Sequence, residues 1–522
     1  MPAQTMTSDP AAPAVGSDGS QFERRWWILA VIGVAQLMVV LDTTIVNVAL
    51  PSAQRALHFS NDNRQWIVTA YALAFGSLLL LGGRIGDLFG RKWTLIGGLV
   101  GFSIASAVGG AAGSFGMLVG ARAAQGAFAA ILAPSALALL STTFENIDER
   151  RKAFGVYGGI AGAGGATGLL IGGVLTQAFS WRLTLFVNLA IALPVALAAL
   201  WLLVNERPDE RPALDLPGTA TVSLGLFALV YGFSNAETHS WSDPTTIIAL
   251  IASAVLLAVF VALESRAQHP LLPLRILGDR ARGGSYVAVG LIGAGMFGAF
   301  LFLTYFLQNT KGYTPIQTGL AFLPLPAAIV ATSMIVQNVL LKRVGPRPLM
   351  TFGLLLGAGA MVWLAQLTPS ASYGGHVLPA LFVLGVGMGA TGAPAMFTAT
   401  YKIPRADTGV ASAMVPTMQQ VGGAVGASAL STIFASAVSS YSHTHAPGPR
   451  LVSTAAVHGY TTAFWVAAAI FAAGAILIGS LVPSIKARAI TPKPTPTQPS
   501  PRPVAAVRPV LGVPRKLARP ER

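Results

Sequence analysis

The sequence predicts an all-α polytopic membrane protein with fourteen spans, and three observations carry that prediction. The 522 residues are 53% hydrophobic and only 10% charged, with a mean hydropathy of +0.64, whereas an ordinary soluble domain carries about 25% charged residues. Fourteen apolar segments recur, each near the roughly 20 residues that a helix needs to cross a bilayer. Basic residues crowd into alternate connections, a bias that requires this number of crossings.

The first six segments lie near 26–50, 64–83, 93–113, 115–140, 153–177 and 183–204. The remaining eight lie near 217–235, 245–263, 283–308, 316–341, 348–367, 377–399, 408–436 and 461–483. Mostly short connections make successive helices antiparallel. Arg24 and Arg25 before an apolar run resemble a signal peptide, but the run from Trp26 to Leu50 exceeds an h-region of about 7–15 residues and is read as the first span. Residues 1–25 are read as a disordered tail, small and polar through residue 20, and residues 484–522 as a second one, Pro-rich and basic; neither can bury a core.

Orientation follows from the loops. One side collects Arg24, Arg25, Arg84, Arg91, Lys92, Arg150, Arg151, Lys152, Arg207, Arg211, Arg266, Arg275, Arg280, Arg282, Lys342, Arg343, Arg347, Lys402 and Arg405. The other side holds Arg55, Arg64, Arg182, Lys311 and Arg450. The rich side is expected to be cytoplasmic, with both termini there, in a bacterial inner membrane. The same distribution assigns the net charge of +15 to positive-inside loops beside anionic lipid and not to nucleic acid. The absence of cysteine removes disulfides, thiol catalysis and thiolate metal sites. His443 and His445 lie in a Ser-, Pro- and Gly-rich loop without an acidic neighbour, so no metal site is expected.

Two ionisable residues stand well inside spans, Asp42 in the first and Arg122 in the fourth. Each costs about 2.5–3.5 kcal/mol at the bilayer centre and needs a partner or an aqueous cavity. Counting from the helix ends puts both roughly 9 Å below the same face, deep enough to pair if the helices are neighbours. One reading is a fixed salt bridge that sets packing. The other is a proton carrier, in which Arg122 favours the ionised form of Asp42 and desolvation favours the neutral one. Gln36, Gln125, Asn188, Gln308, Gln419 and Gln420 are further polar residues within spans that could line the same cavity; each alone is more often an interhelical hydrogen bond than a ligand.

Four stretches carry a family resemblance. Residues 41–51, LDTTIVNVALP, form a long first-helix signature. Residues 83–92, GRIGDLFGRK, join the second and third spans; glycines permit a tight turn, and Asp87 and Arg91 can make charge-assisted contacts that latch helices. Residues 122–126, RAAQG, lie in the fourth span, and Gly155, Gly164, Gly168, Gly172 and Gly173 stud the fifth. Together they resemble the major facilitator superfamily, and within it the fourteen-helix drug:proton antiporter branch. Two departures are visible: Leu88 stands where the family is often basic, and Leu169 stands where the antiporter glycine motif has proline. An internal echo, residues 342–347, KRVGPR, repeats the loop at 83–92 with Gly345 matching Gly90.

The resemblance implies a major facilitator fold, with six-helix bundles at 26–204 and 283–483 and two extra helices in a linker at 205–282. It implies a secondary active transporter, not an enzyme, that exports small amphipathic or cationic compounds by alternating access. Protons are the coupling ion through Asp42 and Arg122, no cofactor is needed, and Gly83, Asp87, Gly90 and Arg91 act as a conformational switch. Gln36, Tyr71, Gln125, Phe297, Tyr305 and Gln419 are candidates for the substrate cavity, and a monomer suffices. A narrow-specificity metabolite exporter or a nutrient importer of the same fold remains the alternative. ATP coupling is not expected, because the phosphate-loop pattern GxxxxGK[ST] is absent from the sequence.

Overall fold

The computed structural model describes residues 18–59, 66–144, 146–204, 215–267, 270–401, 403–404, 407–446 and 451–483. Within them the chain forms fourteen long helices. The first six are α1 (Asp18–Leu57), α2 (Trp66–Phe89), α3 (Arg91–Gly110), α4 (Phe115–Thr143), α5 (Ile147–Ala178) and α6 (Leu183–Leu202). Next come α7 (Leu216–Thr238) and α8 (Pro244–Glu264). The last six are α9 (Arg280–Thr310), α10 (Ile316–Val344), α11 (Pro346–Leu364), α12 (Tyr373–Ala399), α13 (Thr408–Thr444) and α14 (Leu451–Leu481). Thirteen are long and apolar enough to cross a membrane, and α5, 32 residues long, completes the set.

Several helices start where the sequence supplies a cap for orphan backbone N–H groups. Ser114 accepts from Met117 before α4, Asn146 from Asp148 and Glu149 at α5, and Asp243 from Thr245 and Thr246 at α8. Helix α1 starts at Asp18, earlier than the span read from 26, so residues 18–25 are helical and not part of the disordered tail expected for 1–25. Arg24 donates to the Leu202 carbonyl at 3.0 Å and Arg25 pairs with Glu149 at 3.2 Å, which ties this extension to the bundle. The expected tails at 1–17 and 484–522 lie outside the described residues.

The helices form two bundles with one packing plan. In the first, α1 packs on α5, α2 on α4, α3 on α4 and α6; in the second, α9 packs on α13, α10 on α12, α11 on α12 and α14. Helices α5 and α13 are therefore equivalents, as parallel repeats require. The two connecting loops repeat as well: Gly90 has φ 88° and Gly345 φ 81°, backbone that a side chain would strain. The bundles meet along two seams, α5 on α10 and α2 on α13. The α7–α8 pair sits outside them, with α7 against α2 and α13.

Candidate functional site

The first bundle closes around a polar knot. Asp42 is fully buried, and its Oδ2 accepts from Arg122 Nη1 at 2.5 Å. Oδ1 accepts from Asn188 Nδ2 at 2.7 Å and Gln125 Nε2 at 3.0 Å. Ser106 Oγ accepts from both amides at 2.9 Å and donates to the Leu185 carbonyl at 2.8 Å. Arg122 also donates to Gln125 Oε1 at 3.0 Å and, through Nε, to the Ile67 carbonyl at 3.2 Å, while its guanidinium lies 4.5 Å from the centre of the Tyr71 ring. Helices α1, α2, α3, α4 and α6 thus converge on one carboxylate. A cavity of about 10 Å³, lined in part by Ala49, Leu118 and Thr184, reaches Arg122 and offers room for a single water.

The glycines of α5 explain how α1 holds Asp42 in this place. At Gly168 a side chain would collide with Thr44 and the Leu41 carbonyl, at Gly164 with Val40 at 2.8 Å, and at Gly172 with Ile45 at 2.9 Å. These three therefore seat the turn of α1 that carries Asp42. Gly155 and Gly173 face the other way, across the seam, toward Gln337 and Ile316 of α10.

A second group of residues joins the bundles at the face with the basic loops. Asp87 Oδ1 accepts the backbone N–H of Gly409 at 3.1 Å, at the start of α13, and Arg91 lies 3.6 Å away. A carboxylate suits the positive end of a helix dipole. Gly83 permits the approach, since a Cβ there would stand 2.7 Å from the Gly409 carbonyl. Lys342, the echo of this region, pairs at 2.8 Å with Asp148 in the first turn of α5. Arg150 of α5 donates to the Thr400 carbonyl at 2.8 Å.

The residues nominated for a cavity divide. Gln125 is fully buried in the Asp42 knot, and Tyr71 is buried beneath Arg122, so neither lines open space. Their polarity and aromaticity are used inside the bundle. Gln36 is half-buried and accepts from Tyr157 at 2.8 Å, and Phe297 is half-buried. Tyr305 and Gln419 are exposed. Ser106 and the Ile67 carbonyl escaped sequence reading; a serine in an apolar helix has too many bland explanations, and a backbone carbonyl leaves no signal.

The family model described as Major Facilitator Superfamily matches residues 32–427. A puromycin resistance protein of Streptomyces alboniger is 46% identical over 463 residues, 88% of this chain and 92% of that protein. A cephamycin export protein of Amycolatopsis lactamdurans is 38% identical over 408 residues, 78% of this chain and 84% of that one. Among solved structures, the proton:xylose symporter XylE matches with a TM-score of 0.62 at 14% identity, covering 90% of this chain and 98% of that one; at that identity the likeness concerns the fold.

Proposed function

The chain belongs to the Major Facilitator Superfamily, and on that premise we propose that it is a proton-coupled antiporter exporting small amphipathic or cationic compounds, antibiotics among them, across a bacterial inner membrane. It is a transporter with many membrane-spanning helices. The observation that carries the coupling is the Asp42 knot: a carboxylate with no exposure, held by one guanidinium and two amides.

In this reading Asp42 is the proton carrier. Ionised, it is paired with Arg122; protonated, it releases Arg122, whose remaining partners are the Ile67 carbonyl, Gln125 and the Tyr71 ring. The basic face is cytoplasmic, and the contacts of Asp87, Lys342 and Arg150 close the cavity on that side. Proton binding to Asp42 from outside accompanies release of cargo, and proton loss to the cytoplasm resets the cycle. A membrane potential adds about 2.3 kcal/mol per charge per 100 mV.

The test is uptake of a fluorescent lipophilic cation into inside-out vesicles energised by a proton gradient. Wild type is expected to accumulate it in an uncoupler-sensitive way, and Asp42→Asn at matched insertion is expected not to. Full activity of the variant would remove Asp42 from the coupling step. A second reading, a narrow exporter of one natural product, is favoured by relatives that are each named for a single antibiotic; a substrate panel with puromycin and cephamycin beside unrelated cations separates the two.

A further inference from the structure

The two seams between the bundles are sealed differently. Helices α5 and α10 touch along their length, through Asp148 and Lys342 at the basic face, Gly155 against Gln337, Gly159 against Val330 and Gly173 against Ile316 at the far end. Helices α2 and α13 meet at Gly83 with Gly409 near the basic face and at Gly76 with Gln420 near mid-span. Towards the far face each also contacts the inserted pair. Thr69 of α2 shares a hydrogen bond with Ser234 of α7 at 3.3 Å, and the Trp66 and Tyr231 rings lie 6.2 Å apart. Thr432 of α13 accepts from Trp241 Nε1 at 2.6 Å, in the loop between α7 and α8.

The inserted pair thus bridges α2 and α13. Its inner side is buried, with Val222, Leu226 and Val230 almost fully covered, while Ile248, Ile251 and Val255 of α8 are more than half exposed, as a lipid-facing surface should be. Gln419 is exposed at mid-span and neighbours Gln420, which packs against Gly76 of α2, so it lies beside the seam between the bundles.

We propose that the α7–α8 hairpin is the lateral wall of the transport cavity, clipped to α2 by Ser234 and to α13 by Trp241, so that an amphipathic cargo is discharged to water and not into the outer leaflet. This rests on the export reading, because only a cavity that opens to the outside needs a wall on that half of the α2/α13 seam. An apolar wall costs nothing in lipid, and one hydrogen bond at each edge keeps it registered against helices that move with different bundles.

The chain has no cysteine, so Gln419→Cys in the full-length protein carries a single bimane label. Reconstituted in liposomes, the label is expected to be quenched by aqueous iodide and not by lipids brominated on their acyl chains. Adding Trp241→Ala should raise quenching by brominated lipid about fivefold, the population change expected from losing one hydrogen bond. Trp241→Phe, which keeps the ring and loses only the indole donor, should move in the same direction and guards against misfolding of the alanine variant. Strong lipid quenching before any wall substitution, or no change in either variant, would overturn the proposal. The readout needs no transport, so it stands or falls independently of whether efflux is detected.

Discussion

Superposed by a shift of 255 residues, the interval from Gly90 to Gly345, the two bundles differ at the place where the first is most polar. Ser106 falls on Met361, Arg122 on Val377 and Gln125 on Ala380, and all three apolar counterparts are fully buried. The shift holds in the packing: Gly98 meets Leu132 in the first bundle, and Gly353 meets Gly387 in the second. The stretch of α9 that lies on α13, from Gly290 to Gly298, carries no ionisable side chain. The second bundle therefore closes the same helix packing without a charge, so the Asp42 knot is not a requirement of the fold. Taking two charges out of water is costly, and a buried ion pair is often replaceable by apolar residues without loss of stability. Its presence in one half alone favours the proposed coupling role over a purely packing one.

The largest effects are expected from making the first bundle resemble the second. Arg122→Val alone leaves Asp42 buried without its cation and should cost about 3–5 kcal/mol, read as a large fall in melting temperature in detergent. Replacing the set together, Asp42→Leu with Ser106→Met, Arg122→Val, Gln125→Ala and Asn188→Leu, so that no buried donor loses its acceptors, should recover most of that stability while proton-driven transport stays absent. A quintuple variant less stable than Arg122→Val would make the polar knot structural. Asn188→Ala comes next: it removes a donor to Asp42 and one to Ser106 and should cost about 1–3 kcal/mol. Its sharper signature is a displaced pH profile of transport, which a purely structural role would not produce.

The latches at the basic face extend the same contrast with smaller effects. Shifted by the same interval, Asp87 falls on Lys342, so one bundle offers a carboxylate directly to a helix start and the other offers an ammonium to the Asp148 carboxylate at the equivalent helix start. Asp87→Asn keeps a hydrogen-bond acceptor but loses the charge facing the α13 dipole, worth about 0.3–1 kcal/mol. It should increase labelling of a cysteine introduced at Thr408, which is buried beside this contact, by a thiol reagent added at the basic face; unchanged labelling would show that the α2/α13 contact is held by helix packing alone.

Much of this was legible in the sequence, for reasons that particular residues make clear. Spans are long and apolar, so their number and order follow from composition, and Asp42 and Arg122 stand out because charges are costly in lipid. Gly90 and Gly345 were readable as an internal repeat because both sit at the same tight turn. Helix ends were less visible: α1 begins at Asp18 and α14 at Leu451, where polar residues continue a helix beyond the membrane and hydropathy gives no boundary. The site was half legible. Gln125 and Tyr71 were nominated for a cavity because depth alone does not reveal which face of a helix a residue occupies; the packing of α4 on α3 turns Gln125 toward Asp42, and that of α2 on α4 sets the Tyr71 ring against Arg122.

Tyr71 gives the finest test of how the knot works. Its ring lies beneath the Arg122 guanidinium, whereas its hydroxyl is buried and has no hydrogen-bond partner among the described residues. The ring is thus the working part, and the hydroxyl carries a desolvation cost without return. Tyr71→Phe should leave melting temperature and proton-driven transport nearly unchanged, while Tyr71→Leu, which keeps bulk and loses the π face, should lower stability by about 0.5–2 kcal/mol. The two variants measured side by side decide between a cation–π seat for Arg122 and a polar role for the phenol: a defect already present in Tyr71→Phe, which keeps the π face, would mean that the hydroxyl finds a partner, a water or a shifted Asp42, at another stage of the cycle.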